Sequence, residues 1–324
     1  MAEVLRVSDL SRHFPVGGFR SRGTLHAADD VSFTVDRAEI VALVGESGSG
    51  KSTIARVLAG LYPPTTGEIT FEGETLGRHE SREVRGKMPM VFQDPFGSIN
   101  PVLRVGHSLL RSLKLHRAEL SKAQRRDEAV RLLEKVGLVP GAEVLTRFPH
   151  ELSGGQRQRL GFAQALASRP SLILADEPVS MLDVSIRIGL LNVMKELRDE
   201  GVSVLYITHD LASARYVANR MIVLYAGRIV EEGATEEVIS SPQHPYTQLL
   251  MSTAPDPRLP LVASSDVEDL GEPPKVIDPE PGCRFAPRCA LARDECWHTD
   301  PPSVELSGTH RAVCVAVREQ WATR

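Results

Sequence analysis

Gly45-Glu46-Ser47-Gly48-Ser49-Gly50-Lys51-Ser52-Thr53 is the stretch that decides the fold. It contains G-x-x-x-x-G-K-[ST], a loop whose successive backbone N–H groups replace the hydration of a bound phosphate chain. Gly45, Gly48 and Gly50 permit close approach and positive φ, and a helix starting near Lys51 aims its N-terminal dipole at the anion. In this reading Lys51 reaches the β- and γ-phosphates and the Ser52 hydroxyl serves Mg²⁺. The flanks agree. Ile40-Val41-Ala42-Leu43-Val44 is a short apolar run rich in β-branched residues, and Ile54, Val57 and Leu58 fall at helical spacing ahead of a C-capping Gly60.

Outward from this loop, the N-terminal side reads as strands: Val31–Val35 alternates, and Gly67–Gly73 is a second alternating run bounded by glycines. From about 98 to 167 the pattern turns helical. Ser121 is a good N-cap, Ala129, Leu132, Leu133 and Val136 make one apolar face, and Gly137 closes the helix. Strand signals return at Ser171–Ala175, Val202–Ile207 and Met221–Leu224, with an amphipathic helix through Val184, Ile188, Leu191, Met194 and Leu197 between the first two. Continuous apolar strands alternating with helices predict an α/β fold with a parallel sheet, interrupted by a helical insertion. No internal repeat and no second phosphate loop is found.

At 324 residues the chain is long enough for one large core with an appendage. A net charge of −4 gives no broad basic surface for nucleic acid. No run of eighteen apolar residues occurs and Met1–Arg6 does not read as a signal peptide, so a cytosolic chain without membrane spans is expected. After about Pro255 proline, acidic residues and then cysteine accumulate, which predicts a nucleotide domain over 1–255 and a small module over 256–324.

Two further stretches carry chemistry. Leu172-Ile173-Leu174-Ala175-Asp176-Glu177 is an apolar strand ending in two carboxylates, one suited to Mg²⁺ and one to polarising a water for attack on phosphorus. Leu152-Ser153-Gly154-Gly155-Gln156 forms another anion-ready helix start, although a single γ-phosphate has no need of two such loops from one chain.

In their order, these stretches make the chain resemble the ATP-binding subunit of ATP-binding cassette (ABC) transporters over nearly its first 250 residues. Gly45–Thr53 is similar to Walker A, Leu152–Gln156 to the signature motif and Leu172–Glu177 to Walker B; Gln93 resembles the Q-loop, Ser180–Asp183 the D-loop and His209 the switch histidine. The resemblance implies a P-loop (RecA-like) sheet with an antiparallel β subdomain and an inserted helical subdomain. It implies that Ser52, Gln93 and Asp176 surround Mg²⁺, that Glu177, His209 and Gln93 serve hydrolysis, and that Phe14 stacks on adenine. It also solves the two-loop puzzle: such cassettes pair head to tail, so Ser153, Gly154, Gly155, Gln156 and Asp183 would act on ATP held by a partner. One departure is Gln164, where relatives usually carry arginine.

Within the family, Val91–Pro101, His244-Pro245-Tyr246-Thr247 and the cysteine-bearing tail resemble the oligopeptide and dipeptide importer branch, nearest the second of its two ATPase subunits. That implies a heterodimer with a related ATPase, at the cytoplasmic face of the membrane beneath two permease subunits, fed by an extracytoplasmic peptide-binding protein. Nickel or glutathione as cargo, or a soluble cassette ATPase acting on ribosomes or DNA, are the alternatives; the second usually brings tandem cassettes or basic extensions, which are not seen here. Cys283, Cys289, Cys296 and Cys314 supply four soft ligands within 32 residues, suited to zinc or an iron–sulfur cluster. Zinc knuckles of the C-x2–4-C type are absent, looser spacing encircles a larger cubane, and the resemblance extends to a [4Fe-4S] cluster; zinc and plain buried thiols remain the other readings.

Overall fold

The structure, a computed structural model, describes residues 2–17, 23–77, 84, 86–94, 99–253 and 274–317. Two sheets carry it. The smaller is antiparallel, in the order β2-β1-β4-β5, from β1 (Glu3–Val16), β2 (Gly23–Asp36), β4 (Thr66–Phe71) and β5 (Glu74–Thr75). In the larger, β3 (Ile40–Val44), β6 (Met90–Val91), β7 (Leu172–Asp176), β8 (Ser203–Thr208) and β9 (Arg220–Tyr225) run parallel in the order β9-β3-β8-β7-β6. Antiparallel strands β10 (Arg228–Ala234), β12 (His310–Val313) and β11 (Ser303–Ser307) extend it beyond β9.

The continuous apolar strands follow from burial on both faces. Ile40, Ala42 and Val44 enter the core shared with the helical region, whereas Val41 and Leu43 enter the core beneath the antiparallel sheet. Ile173 and Ala175 part from Leu172 and Leu174 in the same way. A period of two with apolar residues on both faces leaves no polar position to alternate.

The predicted helical insertion lies between β6 and β7. After α1 (Lys51–Leu58), its longer helices are α2 (Val105–His116), α3 (Lys122–Lys135) and α4 (Gly154–Leu166). Ser121 caps α3 as expected, accepting from the Gln124 N–H while the Gln124 side chain accepts from the Ser121 N–H, and Gly137 comes next at φ 76°. Residue 98, near which the insertion was expected to begin, lies outside the described residues. Gln164 donates to Ser108 Oγ at 2.7 Å, so this departure joins α4 to α2 through a neutral bond.

The expected boundary near residue 255 falls among residues 254–273, outside those described. The C-terminal segment 274–317 is tied to both sheets. β12 pairs with β10 through Glu231↔Ala312 and Glu232↔Arg311, while His26 N–H donates to Val276 O at 2.9 Å and Asp278 N–H to Thr24 O at 3.0 Å. The tail's own cluster is small, Leu306, Ala312 and Val317. Docking on the cassette therefore supplies burial that so short a segment cannot generate alone.

Candidate active site

The phosphate loop leaves β3 at Val44 and enters α1 at Lys51, as its sequence predicts. Gly45, Gly48 and Gly50 adopt φ of 154°, 79° and 105°. Space as well as angle demands glycine at two of them: a Cβ on Gly45 would lie 2.2 Å from Leu224 O, and one on Gly50 2.1 Å from Ala27 O. Ser47 and Gly48 are exposed at the loop's crest, Ser49 is buried, and Gly227 N–H holds Ser49 O at 2.8 Å. Lys51 is buried and donates to Gly45 O (2.8 Å), Glu46 O (2.7 Å) and Ser49 Oγ (3.3 Å). Burial pushes its pKa down to about 8 against the pull of Glu177, Asp176 and Glu46.

Parallel pairing delivers the remaining chemistry to the same edge. Val44 is level with Thr208, and Ile207 with Asp176, so the carboxyl ends of β3, β8 and β7 converge where α/β sheets bind ligands. Ser52 Oγ donates to Asp176 Oδ1 at 3.0 Å. Burial raises the Asp176 pKa, with Ser52 and Arg56 opposing. A hydroxyl and a carboxylate meeting at one point form a hard-oxygen pair of the kind Mg²⁺ takes.

Beyond the strand tip Glu177 turns left-handed, φ 46°, with its N–H on Ile207 O at 2.9 Å. A non-glycine residue held there is strained, and such strain gathers at functional sites. The turn aims the carboxylate at two partners: His209 Nδ1 donates to Oε1 at 3.0 Å and Gln93 Nε2 to Oε2 at 3.3 Å. Gln93 also reaches Ser180 Oγ at 3.4 Å, and Ser180 donates to Glu177 O at 3.0 Å. Gln93 thus meets Glu177 and Ser180, with Asp176 and Ser52 bonded to each other beside them. Thr53, in the first turn of α1, is partly buried.

Other predicted residues sit apart from this cluster. Ser153 and Gln156 bond each other in a capping box at the start of α4, Ser153 and Gly154 are exposed, and Gly155 is buried where a Cβ would lie 2.3 Å from Ile186 Cγ2. Asp183 is exposed at the head of α5 (Val184–Asp199), its side chain making no capping bond. Phe14, on β1, packs edge-on against Tyr62 at 5.5 Å under the Arg12 guanidinium at 4.4 Å.

The four cysteines, all free, line one small cavity with His244, Phe285 and Leu291. Burial raises the Cys283 pKa to about 11 and also raises Cys289 and Cys314. Among the described residues no three of these sulfurs lie within 4.8 Å of one another; the one ligand-type trio that close is His13, His26 and Asp29.

Sequence reasoning missed how the tail meets the phosphate loop. Tyr246, at the start of α6 (Pro245–Thr253), accepts the Glu46 N–H on its hydroxyl at 2.9 Å and packs on Tyr225 and Phe285. Arg288 forks onto the Glu46 carboxylate at 3.0 and 3.2 Å. Buried Glu231 accepts from Gln243 N–H, His244 N–H and His310. In sequence the His-Pro-Tyr-Thr stretch stands out through its resemblance alone, which says nothing of this contact.

Sheet order, antiparallel subdomain and helical insertion around this loop define an ATP-binding cassette. Residues 28–180 match the family model "ABC transporter", and residues 230–296 match "Oligopeptide/dipeptide transporter, C-terminal region". The dipeptide transport ATP-binding protein DppF of Escherichia coli is 40% identical over 321 residues, covering 97% of this chain and 94% of the relative. The oligopeptide transport ATP-binding protein OppF of Salmonella typhimurium is 40% identical over 324 residues, covering 97% and 96%. Among solved structures, the dimeric post-hydrolysis state of the cassette MJ0796 bound to ADP and Pi matches with a TM-score of 0.64 at 28% identity, covering 71% of this chain and 98% of that one. The chain belongs to the ATP-binding subunits of peptide-type ABC transporters. Among the described residues no helix is long and apolar enough to cross a membrane.

Proposed function

We propose that this chain hydrolyses ATP to power import of oligopeptides or dipeptides, as the second of two ATPase subunits docked at the cytoplasmic face of the membrane on two permeases served by a peptide-binding protein. The observation that carries the reading is the Glu177 carboxylate, held by His209 and Gln93 beside the Ser52–Asp176 pair. Gly45–Thr53 cradles the triphosphate and Lys51 neutralises its charge. Ser52, Asp176 and Gln93 would hold Mg²⁺, which supplies charge neutralisation at the phosphates. Glu177 orients and deprotonates the attacking water, and the His209 Nδ1–H holds the carboxylate in place.

Ser153, Gly154, Gly155, Gln156 and Asp183 would face ATP bound to the partner ATPase, and the exposure of Ser153, Gly154 and Asp183 supports that role. Closure occurs because nucleotide favours the paired state over the open one. Phe14, with Tyr62 at its edge, would stack on adenine. Glu177→Gln should leave MgATP binding intact and cut turnover by roughly 100-fold or more, trapping a closed pair detectable by size-exclusion chromatography. Unchanged turnover would overturn the role given to Glu177.

The cysteine cavity is read as a [4Fe-4S] site held by Cys283, Cys289, Cys296 and Cys314. Zinc with four thiolates at about 2.3 Å places its sulfurs about 3.8 Å apart. Among the described residues no three of these sulfurs lie within 4.8 Å of one another, and it is their sequence spacing, with no C-x2–4-C knuckle, that supports the larger cluster. A cluster would cross-link Cys283, Cys289, Cys296 and Cys314 within the segment, stapling a module too small to build its own core. Iron and sulfide analysis after anaerobic purification tests this, and zinc in their place overturns it.

A further inference from the structure

The segment Cys283–Cys289 carries two arginines that leave the cysteine cavity and reach the nucleotide site. Arg288 Nη1 lies 3.0 Å from Glu46 Oε2 and Nη2 lies 3.2 Å from Oε1, a planar fork on a carboxylate, with Nη1 also 3.3 Å from the Tyr225 hydroxyl. Arg284 donates to Ala226 O at 2.6 Å, next to the Gly227 N–H that holds Ser49 O, and pairs with Asp29. Both arginine side chains are largely buried, 11% exposed for Arg288 and 8% for Arg284.

Glu46 places a carboxylate in a loop that must hold a triphosphate, and left unpaired that charge would repel the anion. Its charge is felt at Lys51, and its backbone carbonyl accepts from Lys51 Nζ at 2.7 Å. We propose that Arg288 is a positioning residue for nucleotide binding: its guanidinium neutralises and pins Glu46, so that the cysteine-bearing segment is a working part of the phosphate loop. The coupling is reciprocal, since a ligand that binds better with the segment in place must also hold the segment in place. This rests on reading Gly45–Thr53 as the ATP cradle, and it holds whether the cysteines carry a cluster, zinc or protons.

The test uses the full chain and a fluorescent MgATP analogue. Arg288→Ala should weaken binding roughly tenfold by leaving Glu46 unpaired, and the double variant E46Q/R288A should recover most of that loss, because it removes the bare charge. Hydrogen exchange of amides 283–289 should slow on adding MgADP in the unsubstituted protein and not in Arg288→Ala. Unchanged affinity in Arg288→Ala, no recovery in the double variant, or exchange indifferent to MgADP would each overturn the proposal. The double variant also guards against a merely loosened tail, which removing the Glu46 charge would not repair. Lys51→Ala separates the role of Arg288 from that of the cradle. If it abolishes binding while Arg288→Ala leaves affinity unchanged, this inference alone fails; if it binds like the unsubstituted protein, the cradle reading fails and takes the inference with it.

Discussion

At the residue scale the site is a set of groups held where isolated chemistry would not leave them. Lys51 is buried among its own loop's oxygens, Asp176 is buried at a strand end, and Glu177 is left-handed. Each is costly alone and tolerable only because neighbours fix it. Gly50 shows how little slack remains. At φ 105°, with Ala27 O 2.1 Å from the position a Cβ would take, the loop's last glycine is locked between helix and β2. Gly50→Ala therefore has to shift backbone on one side. We expect a lowered melting temperature and loss of MgATP binding together, measured by thermal unfolding with and without nucleotide. An unaltered melt would show that the loop is free to move there. Gly48→Ala is the contrast: nothing lies within 4 Å of its Cβ position, so only the φ of 79° opposes it.

At the element scale α4 begins in a complete capping box built by Ser153 and Gln156. Ser153→Ala removes the side-chain acceptor for the Gln156 N–H and should cost about 1 kcal/mol of stability. If Ser153 also meets a partner's ATP, turnover should fall far more than that destabilisation explains, while nucleotide affinity of the isolated chain stays the same. Steady-state kinetics of the assembled ATPase pair beside denaturant melts of the single chain separate the two effects. Elements of this kind were legible from sequence because their signals are local: the Ser121 and Ser153 caps, the apolar strands ending at Val44 and Asp176, the glycines of the loop. What escaped was set by partners remote in sequence. β10 and β12 are short and mixed in character, and they pair across residues 231 and 312. The Glu46 contacts with Tyr246 and Arg288 span about 200 residues or more, and no periodicity encodes them. Gln93 illustrates the middle case: its motif was recognisable, but its bond to Glu177 depends on β6 and β7 lying side by side.

At the scale of the whole molecule, sheet edge, tail and nucleotide loop meet around His244. Its Nδ1 accepts the Tyr246 N–H at 3.0 Å, which places the neutral ring's proton on Nε2, and its own backbone N–H rests on Glu231. His310, from β12, reaches the same Glu231 at 2.8 Å, and Phe285 packs beside the His244 ring at 5.8 Å. Burial, opposed by the Glu231 charge, drives the His244 pKa from 6.5 down to about 4. The unfolded chain then takes up this proton before the folded one does. Stability is unaffected by this group above about pH 6.5 and is lost as pH falls from there towards 4, at up to about 1.4 kcal/mol per pH unit. His244→Asn keeps a side-chain acceptor but cannot titrate, so its denaturant midpoint should vary less with pH across that window, even if it is lower at pH 7. Melts at pH 7, 6, 5 and 4 give the comparison. Equal pH slopes for the two proteins would mean that acid loosens the molecule elsewhere, and that the meeting point of tail and cassette is not where protons act.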